Sequence, residues 1–346
     1  MTDYYINADT GSDTTGNGSI SAPWLTLRHA FIAIANNATQ IIIIGNFNIH
    51  VQSSVNTYVF DRFTLQADNS NYIALSGVNI IGDDPDSCVF DGSSFDWASL
   101  PNKNGNIFNF NSGSNSLQNI TIQNIPAQTT YDTGQASYAY DGTIIYFGTA
   151  GVSQQLIQNC KFINIGLSKG DGFTGSQRII ANACSATSTT TPTLIIRSCV
   201  FGNISSSSLL GTASAVILSV GAGTSAGLRQ YNSIENCVFF TNTGSQLAQW
   251  FGLRDSYVEI DIKNSILKNG QGVPMYFFQV GGGGSNALLN LTNCDNYQMS
   301  NYSYSSTNYT FTETNCIADD PLFWDQTNND FRLQQNSPCI GTGTIL

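Results

Sequence analysis

One short pattern, recurring along the chain, limits what this sequence can fold into more than any other feature. Residues 117–122 (LQNITI), 157–162 (IQNCKF), 196–201 (IRSCVF), 234–239 (IENCVF) and 262–267 (IKNSIL) align without gaps, and 291–294 (LTNC) matches through its cysteine. The copies are spaced by 40, 39, 38, 28 and 29 residues. A fixed motif at an irregular period suits stacked strands joined by loops of variable length, each rung burying its core against the next. The motif itself reads as strand, bend, strand. Its first apolar residue points inward and the next residue outward, Asn or Ser makes the bend, and Cys and the final apolar residue point inward again.

Asn suits a bend because it tolerates left-handed backbone angles and its amide bonds nearby backbone. A second Asn follows the motif by two residues at Asn124, Asn164, Asn203 and Asn269, and by three at Asn242. Stacked about 4.8 Å apart, such residues form ladders along the column, and up to ten rungs make it roughly 45–50 Å long. Inward cysteines stack likewise as small hydrophobes, so Cys160, Cys199 and Cys237 are expected to be buried and reduced. The repeats lack helical periodicity, which excludes ankyrin or TPR arrays. A β-sandwich gives regular turn signals but no strict recurring motif.

Composition agrees. Ser and Thr supply 70 of 346 residues, Asn 37 and Gly 32, while Glu numbers only three, a poor recipe for helices. With 41% apolar residues, Phe 20 and Tyr 15, the chain has the means to build a core, which argues against disorder. A net charge of −11 argues against a nucleic-acid partner. No apolar run approaches membrane-spanning length, so no membrane insertion is expected. The start, Met1 to Tyr5, has neither a basic nor an apolar leader region, and no signal peptide is expected. Seven N-x-S/T sequons are no more than this Asn-, Ser- and Thr-rich composition produces by chance.

The organisation reads as a single domain, 1–346: a strand and helical cap over 1–50, rungs over 51–315, and a closing segment over 316–346. Trp24, Leu27, Phe31 and Ile34 follow helical spacing, predicting an amphipathic lid helix over 24–36. Residues 41–44 (IIII) read as the first fully buried strand. With the G-S-D…P-W-x-T-L stretch from Gly11 to Leu27, the Asn bends, and the D-P-L-F…S-P-x-I-G stretch from Asp320 to Gly341, the chain resembles right-handed parallel β-helix proteins of the pectate-lyase-like superfamily. The resemblance covers nearly the whole chain. It implies an all-β, single-stranded right-handed parallel β-helix with an N-terminal capping α-helix. It leaves function open, because that fold serves lyases, hydrolases, tailspikes, adhesins and viral structural proteins alike.

Lyases of this superfamily use an Arg or Lys base and carboxylate-bound Ca²⁺. The comparable outward stripe here is Gln118, Gln158, Arg197, Glu235, Lys263 and Thr292. Arg197, Glu235 and Lys263 on successive rungs are the weak catalytic candidates, able to grip an acidic sugar. An alternating-sign ladder that avoids like-charge stacking is the plainer reading. The superfamily's galacturonan hydrolases carry paired aspartates, Gly-His-Gly and Arg-x-Lys, and this sequence lacks the last two. His29 and His50 read as packing or surface residues. The Asp-rich stretches 83–86 and 319–321 read as turns, with structural Ca²⁺ as the alternative and no other cofactor or metal expected. Gly281 to Gly284 reads as a loop without phosphate-binding character.

A last bias lies over residues 297–311, where Tyr297, Tyr302, Tyr304 and Tyr309 alternate with Ser and Asn, as in adaptable recognition loops. A second such stretch holds Tyr131, Tyr138, Tyr140 and Tyr146, the last in an apolar strand. Together these features favour a non-catalytic structural or adhesive module of a virion, spike, filament or cell surface. Neighbouring protein subunits or surface glycans are its expected partners, and a homo-oligomer such as a trimer is one expected form. The alternative is a polysaccharide lyase or glycoside hydrolase acting on an acidic polysaccharide.

Overall fold

A computed structural model describes residues 3–34, 39–45, 47–48, 75–93, 108–126, 143–150, 154–167, 178–184, 191–206, 215–219, 229–241, 249–253, 257–270, 276–280, 286–304 and 309–343. Three parallel sheets of ten, eight and seven strands make up most of it. The chain visits them in rotation. Strand Gln155–Gln158 lies in the first sheet, Lys161–Ile163 in the third and Arg178–Asn182 in the second, and the next circuit repeats the order with Leu194–Arg197, Val200–Gly202 and Ala215–Ser219. Each strand pairs in register with its counterpart one circuit on. The protein is therefore all-β, with a solenoid's path.

The repeat motif straddles the corner between the first and third sheets. Its bend residues Asn119, Asn159, Ser198, Asn236, Asn264 and Asn293 all have φ between 49° and 56°, and Asn124, Asn164 and Asn203 turn the next corner at 52° to 57°. Each corner hands a backbone hydrogen bond to the following circuit, as from Asn159 N to Arg197 O at 2.9 Å. The side chains add a ladder: Asn159 Nδ2 donates to Asn119 Oδ1 at 2.9 Å, and Asn164 Nδ2 to Asn124 Oδ1 at 3.1 Å. Ser198 interrupts the first ladder between Asn159 and Asn236.

Inside, like side chains stack on like. Phe162, Phe201 and Phe239 lie nearly parallel with centroids 4.9 and 4.7 Å apart. One inward column of the first sheet runs Ile41, Ile80, Leu117, Ile157, Ile196, Ile234, Ile262, Leu291. Another column holds Cys88, Ile120, Cys160, Cys199, Cys237, Ser265 and Cys294, all buried, and every described cysteine is a free thiol.

One rung escapes a gapless alignment. Val78–Gly82 and Val89–Asp91 belong to the same circuit, but residues 83–87 are inserted at their corner. Gly82 there has no room for a Cβ, which would lie 2.1 Å from Asn119 O, and that carbonyl's rung ends its ladder on Gly82 O.

At the N-terminal end, strand Asp3–Asn7 opens the first sheet and helix Leu27–Ile34 follows it. The helix starts at Leu27 rather than at the expected 24, because Trp24 is extended: it bridges Ile6 and exchanges backbone hydrogen bonds with Tyr5 and Asn7. Asp13 Oδ1 accepts from Leu25 N and Thr26 N at 2.9 and 3.0 Å, fixing the approach to the helix. Ala30 and Ile34 are buried with Ile6 and Trp24. No helix among the described residues is long and apolar enough to cross a membrane.

The closing segment does not simply cover the far end. Strands Phe323–Asp325 and Asp330–Leu333 form an antiparallel hairpin that lies back along the flank of the third sheet. Phe331 packs so close to Gly202 that a Cβ there would meet its ring at 2.4 Å, Phe240 meets Phe331 at 5.4 Å, and Asn203 bonds Asn329.

Candidate functional site

The outward face of the first sheet gathers three ion pairs. Arg197, Glu235 and Lys263 share one register column, as the repeat predicts. Arg197 Nε lies 3.2 Å from Glu235 Oε2, and Ser233 Oγ donates to the other oxygen of Glu235 at 2.9 Å. Lys263 does not join them. It pairs at 3.8 Å with Asp261, two positions back on its own strand.

Asp261 is the hub that the one-column reading missed. Its carboxylate accepts from Tyr231 Oη at 3.0 Å and from Asn290 Nδ2 at 2.8 Å as well as facing Lys263. Beyond it, Arg229 Nε sits 3.9 Å from Glu259 Oε2, and its guanidinium lies 5.8 Å from the Tyr257 ring centroid. Strands Gln230–Glu235 and Val258–Lys263 are each six residues long, so they carry three outward positions rather than one. The alternation upstream of the motif, Tyr231-Asn232-Ser233 and Glu259-Ile260-Asp261, is the signal that reveals them.

Electrostatics follow from this crowding. Burial pushes the Tyr231 hydroxyl up to about 12, with the Asp261 charge adding to it, so Tyr231 stays a hydrogen-bond donor. Burial also raises the Glu259 carboxyl, and the like charge of Asp261 adds while Arg229 opposes. Arg197, Lys263 and Arg229 each lie within 4 Å of a carboxylate oxygen.

A second polar cluster lies under the C-terminal hairpin. Lys268 is buried, 2.7 Å from Asp320 Oδ1, with its ammonium 5.5 and 5.6 Å from the Tyr297 and Phe323 rings. Burial works against the Asp320 carboxylate, but the hydrogen bond from Lys268 holds it below the ordinary range. Beside it Asp295, also buried, accepts from the Cys339 thiol at 3.0 Å through Oδ2, while Oδ1 has no hydrogen-bond partner among the described residues. Burial lifts the Asp295 carboxyl to about 6; the Cys339 bond opposes that shift and the charges of Asp319 and Asp320 add to it. Nothing in the local sequence distinguished Lys268 or Asp295, since both owe their burial to a segment over 25 residues downstream.

Three of the four tyrosines expected in a recognition loop lie on strands. Tyr302 and Tyr304 belong to strand Ser300–Tyr304, the last of the second sheet, and Tyr309 opens strand Tyr309–Thr314, the last of the first. Tyr297 is half-buried against Lys268, whereas Tyr309 is exposed. Tyr146 lies in strand Thr143–Ala150; Tyr131, Tyr138, Tyr140, His50 and Gly281 to Gly284 fall outside the described residues. His29 tilts against Trp24 with centroids 5.6 Å apart.

The aspartate turns do turn work. Asp84 O accepts from Cys88 N at 2.7 Å, Asp84 Oδ1 from Asp86 N, and Asp86 pairs with Lys161. Asp320 Oδ1 accepts from Leu322 N at 3.1 Å. Among the described residues no group of three or more His, Cys, Asp or Glu is arranged to hold a metal ion. No protein-family model matches the sequence, and no curated protein matches it significantly.

Proposed function

We propose that this chain is a non-catalytic structural and adhesive rod. In this reading it is a right-handed parallel β-helix, since right-twisted strands favour right-handed crossovers, and helix Leu27–Ile34 caps its first rung. The observation that carries the reading is the mutual neutralisation of the outward charges: Arg197 by Glu235, Lys263 by Asp261, Arg229 by Glu259. A base held against a carboxylate is a poor proton acceptor for a sugar, whereas paired charges keep stacked rungs from repelling one another. Exposed Trp324, 66% accessible, and Tyr309 supply apolar contact for neighbouring subunits or surface glycans. A virion or extracellular surface is the setting such a rod fits.

The enzyme alternative finds its best support in Glu259 beside Asp261, a raised carboxyl next to a second carboxylate. One assay separates the two. The protein is incubated with uronate polysaccharides, with and without Ca²⁺, while unsaturated-product absorbance and reducing ends are followed. No turnover is expected. Turnover abolished by Arg197→Ala, Lys263→Ala or Glu259→Gln would overturn the structural reading. Light scattering after size exclusion distinguishes a lone rod from a trimer, and Trp324→Ala is expected to weaken retention on a surface-glycan array.

A further inference from the structure

The cysteine column ends differently from how it begins. Cys160, Cys199 and Cys237 stack on consecutive rungs, Ser265 interrupts them, and Cys294 and Cys316 then form a separate pair. Asp295 bridges Ile317 in parallel, and Ile317 N donates to Cys294 O at 2.9 Å, so Cys294 and Cys316 are register neighbours on the last two rungs. Parallel neighbours stand about 4.8 Å apart, inside the Cα separation a disulfide spans.

We propose that Cys316 is an oxidation site and that Cys294 resolves it, forming a disulfide that clips the final rung to the column. Access distinguishes this pair. Cys160, Cys199, Cys237 and Cys294 are buried, while Cys316 is part-exposed and its thiol faces Thr314 O at the protein surface. Its place at the edge distinguishes it too. Interior rungs are paired on both sides, whereas among the described residues strand Tyr309–Thr314, just before Cys316, pairs on one side alone. The last rung can therefore make the small rotation that brings two parallel Cβ vectors to bonding geometry, and rungs at Cys199 and Cys237 cannot. Reactivity points the same way. Within the pair the Cys294 thiol donates to a Cys316 thiolate, which lowers Cys316 and raises Cys294, so Cys316 is the member that ionises first, while burial drives Cys199 and Cys237 well above the usual range.

The oxidant is a hydroperoxide. The Cys316 thiolate attacks its O–O bond; an S–O bond forms, the O–O bond breaks, and the distal oxygen leaves as water or alcohol after taking a proton. The Cys294 sulfur then attacks the sulfenic sulfur, an S–S bond forms, and the hydroxide expelled combines with the Cys294 proton as water. Two thiols are oxidised and one hydroperoxide is reduced.

The test begins with the native protein and needs no variant. Brief iodoacetamide treatment followed by peptide mass spectrometry is expected to label Cys316 first. Stoichiometric hydrogen peroxide is expected to remove the mass of two hydrogens and to yield a Cys294–Cys316 cross-linked peptide that dithiothreitol reverses. Cys294→Ser is expected to stop oxidation at the sulfenic stage, trapped by dimedone at Cys316. Faster labelling of Cys339 or Cys184, or peroxide-treated protein with Cys316 over-oxidised and Cys294 still free, would overturn the proposal.

Discussion

Glu313 stands directly opposite Leu291, at the end of the column of Ile and Leu side chains that runs through the first sheet. Every buried position from Ile41 to Leu291 in that column is aliphatic, and the exposed position that ends it is a carboxylate that accepts from Asn296 Nδ2 at 2.6 Å. An inward-column charge on an edge strand stops another strand from continuing the stack. Glu313→Leu removes that block. The variant is expected to self-associate with rising concentration while the parent does not, as read by light scattering; an unchanged mass would dismiss Glu313 as the terminator.

Ser198 is the gap in the first Asn ladder, held at φ 53° without the amide that its neighbours carry. Ser198→Asn restores it and is expected to stabilise the protein by about 0.5–1 kcal/mol, one net hydrogen bond. Asn159→Ala loses both its bond to Asn119 and a residue suited to left-handed angles, and is expected to cost about 1–3 kcal/mol, with Asn159→Gly recovering the backbone share. Urea unfolding midpoints at constant slope measure each.

Phe201 is sandwiched between Phe162 and Phe239 and is fully buried. Its neighbours sit in register on the adjoining strands of the third sheet, at a spacing the ladder fixes, and cannot collapse into a void. Phe201→Ala is expected to cost about 3–5 kcal/mol, whereas Phe201→Leu, closer in volume, should lose markedly less. Equal losses for the two would contradict a packing role for the ring.

Asp295 sets a pH dependence of defined sign. Its folded value of about 6 lies above an unfolded carboxylate near ~3.9, so the folded state holds the proton more tightly. Its contribution to stability is greatest below the unfolded value and falls as pH rises through the window from about 4 to about 6. Asp295→Asn, which still offers Cys339 an acceptor, is expected to flatten this fall and to raise stability at neutral pH. Melting temperatures from pH 4 to 8 for both proteins decide it: parallel curves would show that Asp295 does not titrate in that window.

Much of this fold was legible because its rules are local. Strand parity puts Ile157, Cys160 and Phe162 inside whatever lies above them, and left-handed tolerance puts Asn159 and Asn164 at corners. The repeat therefore determined which residues stack and which turn, and placed Arg197 next to Glu235. It could not determine what reaches across a circuit or back along the column. Tertiary structure alone turned Lys263 from Glu235 to Asp261, and laid Phe323 and Phe331 over Phe240 and Lys268. It also buried Asp295 beneath Cys339. Those contacts depend on how far variable loops and a returning hairpin carry the chain, a long-range balance of packing and desolvation with no trace in the residues on either side.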